Sequence, residues 1–168
     1  LLLPLIAISF VATAQTTLIP DPVFEQELIS LGYDNVIDGG VLTANISSVD
    51  TLDIPLFSGI SDLTGIEDFT ALTYLHVPIG VTNPIISLDV TQNTALTELY
   101  LSGVNSSQLT SIDITQNTAL EYFHCSNYQL TSLDVSQNTA LIELRCAGNQ
   151  LTSLDVSNNT SLKKRSII

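Results

Sequence analysis

The sequence predicts a β-rich solenoid of right-handed, parallel coils of about 21 residues, closed at its N-terminus by an α-helical cap. Three observations lead there. One segment recurs nearly unchanged at Leu109, Leu130 and Leu151, 21 residues apart each time, after an earlier copy at Ile85 and a degenerate one at Leu63. Each copy ends on two apolar residues separated by one, the period of a strand with one face inward. The copies are also rich in Thr, Ser, Asn and Val, which disfavour helix, and 21 residues are short for a helix pair.

The elements follow in chain order. Residues 1–14 begin with an uncharged apolar run and end in Ala12-Thr13-Ala14, the pattern of a secretory signal peptide lacking its basic first part. That run is short for a bilayer span, and nothing later resembles one, so the expectation is a secreted or cell-surface protein without a transmembrane segment. Residues 15–50 form the cap. Within it Asp21 is placed to cap a helix near 21–31, Pro22 sits at its first position, and Gly32 ends it. Val23, Phe24, Leu28 and Leu31 are expected on its apolar face. Asp34 and Asp38, ahead of Gly39-Gly40, read as a tight turn, because a calcium loop needs more oxygen ligands and an acidic closing residue.

Residues 51–162 are the repeats, and each coil carries two apolar frames. The first runs Leu72-Leu75-Val77, Leu96-Leu99-Leu101, Leu120-Phe123-Cys125 and Leu141-Leu144-Cys146. The second runs Ile85-Leu88-Val90, Leu109-Ile112-Ile114, Leu130-Leu133-Val135 and Leu151-Leu154-Val156. A short strand is expected from each frame, on opposite sides of a narrow core. Asn93, Asn117, Asn138 and Asn159 recur at one bend and are read as a ladder donating to and accepting from backbone groups. Cys125 and Cys146 share an inward column with Val77 and Leu101, which favours buried free thiols over a disulfide. Glu67, Asp89, Asp113, Asp134 and Asp155 form an acidic column on the second frame, read as a solvated edge ahead of a weak calcium site. Residues 163–168 supply no further strand in this frame, so the array is expected to be cut short or aberrant there, with fraying after about Leu154.

From Leu63 to Leu162 the chain resembles the leucine-rich repeats of secreted bacterial proteins. Ile60-Ser61-Asp62-Leu63-Thr64-Gly65-Ile66-Glu67 resembles internalin-type repeats, and the segment from Ile19 to Asp34 resembles the cap that precedes them. The resemblance implies recognition or adhesion, often as one module of a longer surface chain. It says little about the ligand.

Composition narrows the partner. With 17 acidic against four basic residues, nucleic acid and anionic membranes are disfavoured. Stacked in register, the first-frame strands present two outward columns: Tyr74, Glu98, Tyr122 and Glu143 beside His76, Tyr100, His124 and Arg145. Amphipathic aromatics among carboxylates and a guanidinium suit a protein or glycan ligand. The loops at 78–84 and 102–108, three residues longer than their later counterparts, are expected to form a raised edge beside this strip. His76 and His124 lie two coils apart, too far to share a metal, and neither a cofactor nor a metal is expected. No nucleophile turn and no Ser-His-Asp constellation is legible, so the chain reads as a non-enzyme, a monomer or one module of a larger protein. The alternative is a passive spacer holding another domain away from the surface.

Overall fold

The computed structural model describes residues 14–56, 58–80, 83–103 and 108–166. The signal-peptide reading lies almost wholly outside them. Among the described residues no helix is long and apolar enough to cross a membrane.

The cap starts with β1 (Thr16–Leu18), which pairs antiparallel with β2 (Gly40–Leu42) around the helix α1 (Pro22–Ser30). A four-residue turn of helix, α2 (Thr43–Ile46), follows β2. Asp21 caps α1 as expected: its Oδ1 accepts the amides of Val23 at 2.8 Å and Phe24 at 3.2 Å. Its Oδ2 accepts the amide and hydroxyl of Ser61 and the amide of Asp62, so one carboxylate ties the cap to the first coil. Burial would push this carboxyl up; the Ser61, Val23 and Phe24 donors outweigh it and hold it below its usual range.

The inward face of α1 differs from the periodic reading. Phe24 and Leu28 are fully buried, but Val23 and Leu31 are exposed. The third inward residue is Glu25, 1% exposed. Its Oε1 accepts the amides of Asp38, Gly39 and Gly40 at 2.8–3.0 Å, so the turn at 38–40 closes around an internal carboxylate. An acid was unreadable as a core residue because the three amides that satisfy it lie 13 to 15 residues onward.

The repeats build one six-stranded parallel sheet in chain order: β3 (Thr51–Asp53), β4 (Tyr74–Ile79), β5 (Glu98–Gly103), β6 (Tyr122–His124), β7 (Glu143–Arg145) and β8 (Lys164–Ser166). Leu52, Leu75, Leu99, Phe123 and Leu144 align and are all buried. β8 corrects the expectation that no strand follows Leu162. Backbone pairing makes it, with Lys164 opposite Glu143 and Arg165 opposite Leu144. Arg165 thus takes a core position on the last described coil, where its side chain is exposed.

The second frame makes no sheet. Its residues lie outside any strand, and the array has its sheet on one side. The cause is local: in Asp-x-Thr and Asp-x-Ser the carboxylate captures the amide two residues on, as in Asp89 with Thr91, Asp113 with Thr115, Asp134 with Ser136 and Asp155 with Ser157. These Asx turns bend the chain before it can pair laterally. Glu67 does not belong to that column; it accepts the amide of Gly65.

Each bend is braced by the asparagine ladder. Asn117 Nδ2 donates to the carbonyls of Val90 and Asn93, both at 2.9 Å; Asn93, Asn138 and Asn159 repeat the pattern one coil away. Donation carries the ladder: Oδ1 of all four is buried without a partner, unlike the two-way role expected. The place below Asn93 is filled by Phe69, whose carbonyl accepts from Asn93. With no coil carbonyls beneath it, that place takes an apolar side chain, and the Phe69 ring stacks on Phe24 at 6.5 Å. Asn149 donates to the Cys125 and Cys146 carbonyls and accepts from the Leu130 amide, a second brace. Asn83 does the same for Pro55 and Pro78, while accepting from Gly59.

Candidate functional site

The parallel register puts all eight residues of the expected strip side by side on the outward face of the sheet. Tyr74, Glu98, Tyr122 and Glu143 are successive partners, as are His76, Tyr100, His124 and Arg145. The columns extend further than the repeat pattern indicated: Thr51 and Asp53 precede them on β3, and Lys164 and Ser166 follow on β8. Asp53 lies in Val49-Leu52-Ile54, which has the same spacing as Leu72-Leu75-Val77 but stands inside the segment assigned to the cap and its junction, and Lys164 lies past the last recognisable repeat.

The aromatic residues form a continuous run. Tyr74 and Tyr100 have ring centroids 5.5 Å apart and tilted, and Tyr100 meets His124 edge-on at 4.7 Å. These side chains are half-buried against one another. The Tyr100 hydroxyl donates to Glu98 Oε2 at 2.7 Å. Burial first, then that bond and the charge of Glu98, push its phenol well above its ordinary value; burial, Asp53 and Glu98 push Tyr74 up too. Both stay neutral phenols, the Tyr100 proton being held by Glu98.

The far half of the strip is organised by Glu143, which is buried, not presented as an outward acid. Arg145 Nε donates to its Oε1 at 2.6 Å, and His124 Nε2 lies 3.2 Å from the same oxygen without hydrogen-bond alignment. Lys164 Nζ is 3.6 Å from Oε2. Burial would raise Glu143, but the Arg145 bond and the charges of Arg145, Lys164 and His124 hold it below the usual carboxylate range. His124 is depressed, first by burial and then by Arg145, against the pull of Glu143. The strip is therefore polarised: carboxylates and tyrosines at the cap end, Arg145 and Lys164 at the other.

The long loops do not form the expected raised edge where they are described. Their first residues extend the strands, with Pro78 opposite Ser102 and Ile79 opposite Gly103; Pro78, Ile79 and Gly80 turn inward and are buried. Residues 81–82 and 104–107 lie outside the described residues. One consequence is chemical. Extension of β5 sets Ser102 beside His76, whose Nε2 is 2.9 Å from the serine Oγ, while His76 Nδ1 is 2.7 Å from Asp53 Oδ1. The sequence held no sign of this Asp-His-Ser chain, because its members come from three coils.

The opposite side offers a shallow groove of about 330 Å³ floored by Leu63, Ile86, Leu88 and Ile112 and rimmed by Asp62, Asp89 and Asp113. Its carboxylates already hold the turn amides of Thr64, Thr91 and Thr115. Among the described residues no three His, Cys, Asp or Glu side chains converge as a metal-binding group. Cys125 and Cys146 are both buried free thiols in adjacent coils.

A one-sided parallel coil, a leucine column and an asparagine ladder together define the leucine-rich-repeat fold. Solved structures of bacterial leucine-rich-repeat proteins share this fold. The chain is similar to the functional domain of InlJ from Listeria monocytogenes, described as including a cysteine ladder, at 30% identity over 94% of this chain with a TM-score of 0.61. It is also similar to the leucine-rich-repeat protein LIC12759 of Leptospira interrogans, at 25% identity over 74% of this chain with a TM-score of 0.57. The chain spans 39% and 32% of the lengths of these two proteins. No protein-family model and no curated protein matches it in sequence.

Proposed function

We propose that this chain is an extracellular recognition or adhesion module, exported to the cell surface or beyond it, that binds a protein or glycan through the outward face of the sheet. The observation carrying this reading is the register itself. It gathers Tyr74, His76, Glu98, Tyr100, Tyr122, His124, Glu143 and Arg145 into one strip, with Tyr100 in contact with the rings of Tyr74 and His124 and charges of opposite sign at its two ends. Rigid amphipathic rings give contact area at little entropic cost, and separated charges orient a ligand. The internalin-like neighbours support a surface location. The cysteine ladder named for the Listeria domain supports reading Cys125 and Cys146 as rungs of a thiol column inside the solenoid.

The test is a scan of a glycan array and a panel of purified extracellular protein domains, with the native chain and with a triple variant Tyr100→Ser, Tyr122→Ser and His124→Ser. A specific signal from the native chain is expected to fall at least tenfold in the variant, with circular dichroism unchanged. A signal that survives the triple substitution would remove the strip from the binding site. No signal from either probe set would favour a spacer.

A further inference from the structure

We propose that Ser102 is an acyl-accepting nucleophile, activated by His76 as general base and positioned by Asp53, and that the cap end of the sheet transfers acyl groups from small carboxylic esters. The inference is separate from ligand binding by the strip, although His76 takes part in both. Its ground is the connectivity of three side chains on adjacent strands: Asp53 on β3, His76 on β4 and Ser102 at the extended end of β5.

A carboxylate can only accept, so the 2.7 Å contact places a proton on His76 Nδ1. In the neutral imidazole that leaves the Nε2 lone pair facing the Ser102 hydroxyl at 2.9 Å, within reach of the proton it must remove. This is the polarity by which a serine is activated in unrelated folds, where geometry and role, not sequence order, define the arrangement. The extra length of β5 is what permits it. In β6 and β7 the strand ends one residue after the central position, and the residues corresponding to Ser102, Ser126 and Ala147, follow the ladder. Ser102 is exposed, and His76 is partly exposed, so an ester carbonyl can approach. Around the imidazole stand Asp53 on β3, Tyr74 on its own strand, and Glu98 and Tyr100 on β5. The Tyr74 and Tyr100 rings, 5.5 Å apart and inclined at 48°, offer an angled apolar surface to an aryl or sugar ring bearing the acyl group.

Ser102 Oγ attacks the ester carbonyl carbon as its proton passes to His76 Nε2. The carbonyl–oxygen bond to the leaving alcohol then breaks, and that alcohol takes the proton from Nε2–H. Water, deprotonated by the same nitrogen, releases the acid and restores the serine. Because the site is open to water, slow turnover is expected, and the acylated serine is the sharper readout.

The probe is p-nitrophenyl acetate at pH 7.5, with adducts located by peptide mass mapping. A positioned general base contributes about 10²–10⁴-fold, so acetylation of Ser102 should run roughly 100-fold faster than that of the exposed serines Ser87 and Ser111 in the same molecule. His76→Gln should bring Ser102 down to their rate. Asp53→Asn should slow the reaction and change its pH–rate profile, which a merely structural role would leave in place. Two results overturn the proposal: Ser102 labelled no faster than Ser87 and Ser111, a comparison that needs no variant to fold, or p-nitrophenolate release undiminished in Ser102→Ala, which would leave the imidazole reacting by itself. Ser102→Ala leaves all eight residues of the strip in place, so serine acylation can fail while ligand binding persists, and the two readings fail separately.

Discussion

Replacing Asn117 by Asp and by Ala separates what the asparagine ladder does from what it occupies. Asn117 Nδ2 donates to the carbonyls of Val90 and Asn93, and its Oδ1 is buried without a partner. Ala removes two hydrogen bonds worth about 0.5–1.5 kcal/mol each, net of solvation. The two carbonyls keep the amides of Asn93 and Leu96 as partners, and the desolvated Oδ1 is removed as well. The expected loss is therefore about 1–2 kcal/mol. Asp keeps the shape but turns an oxygen toward two carbonyls and adds a buried charge, for an expected loss of about 3–5 kcal/mol at neutral pH. Such a carboxyl has its folded pKa raised, so stability tied to its protonated form is present at low pH and lost as pH rises. The Asp variant should therefore recover toward the Ala variant on acidification. Urea unfolding followed by circular dichroism at pH 7 and pH 5 gives all four numbers. An Asp variant as stable as the Ala variant at pH 7 would refute a donor ladder, since a carboxylate facing the carbonyls of Val90 and Asn93 would then carry no cost.

Two further outcomes follow from the same physical reasoning. Glu143 and His124 both have lowered pKa values in the fold, so their contributions are present above the ordinary pKa of each group and lost as pH falls through the folded one. The difference in melting temperature between the native chain and His124→Gln should shrink between pH 7 and pH 5; a difference constant with pH would show that the imidazole does not titrate against folding. The thiols form the second case: burial, with Cys146 adding to it, pushes Cys125 far up, and burial raises Cys146. Both should react with a disulfide reagent at least 100-fold more slowly in the folded chain than in urea, Cys125 being the slower. Equal rates folded and unfolded would mean that the column is open to solvent.

Much of the sheet was legible because a repeat makes residues equivalent without reference to space. Leu75, Leu99, Phe123 and Leu144 had to share a column, and so did His76, Tyr100, His124 and Arg145. The helix cap was equally local, since Asp21, Pro22 and Gly32 act on their nearest neighbours. What periodicity could not convey was the partner of each polar group. Glu25 reads as a surface acid until three amides of a distant turn converge on it. The acidic frame reads as a strand until each Asp closes a turn on the amide two residues onward.

The same division runs through the candidate sites. The sequence by itself determined the period, the inward and outward columns and the eight residues of the strip, because strand alternation and coil length fix those within a single repeat. Only the tertiary structure decided that the array is one-sided, that Lys164–Ser166 continues the sheet, and that Asp53, His76 and Ser102 form a hydrogen-bonded chain. Those three residues sit 23 and 26 positions apart, in coils of unequal length and spacing. Hydrogen bonds over such separations depend on the register between coils, which the stacked backbone sets.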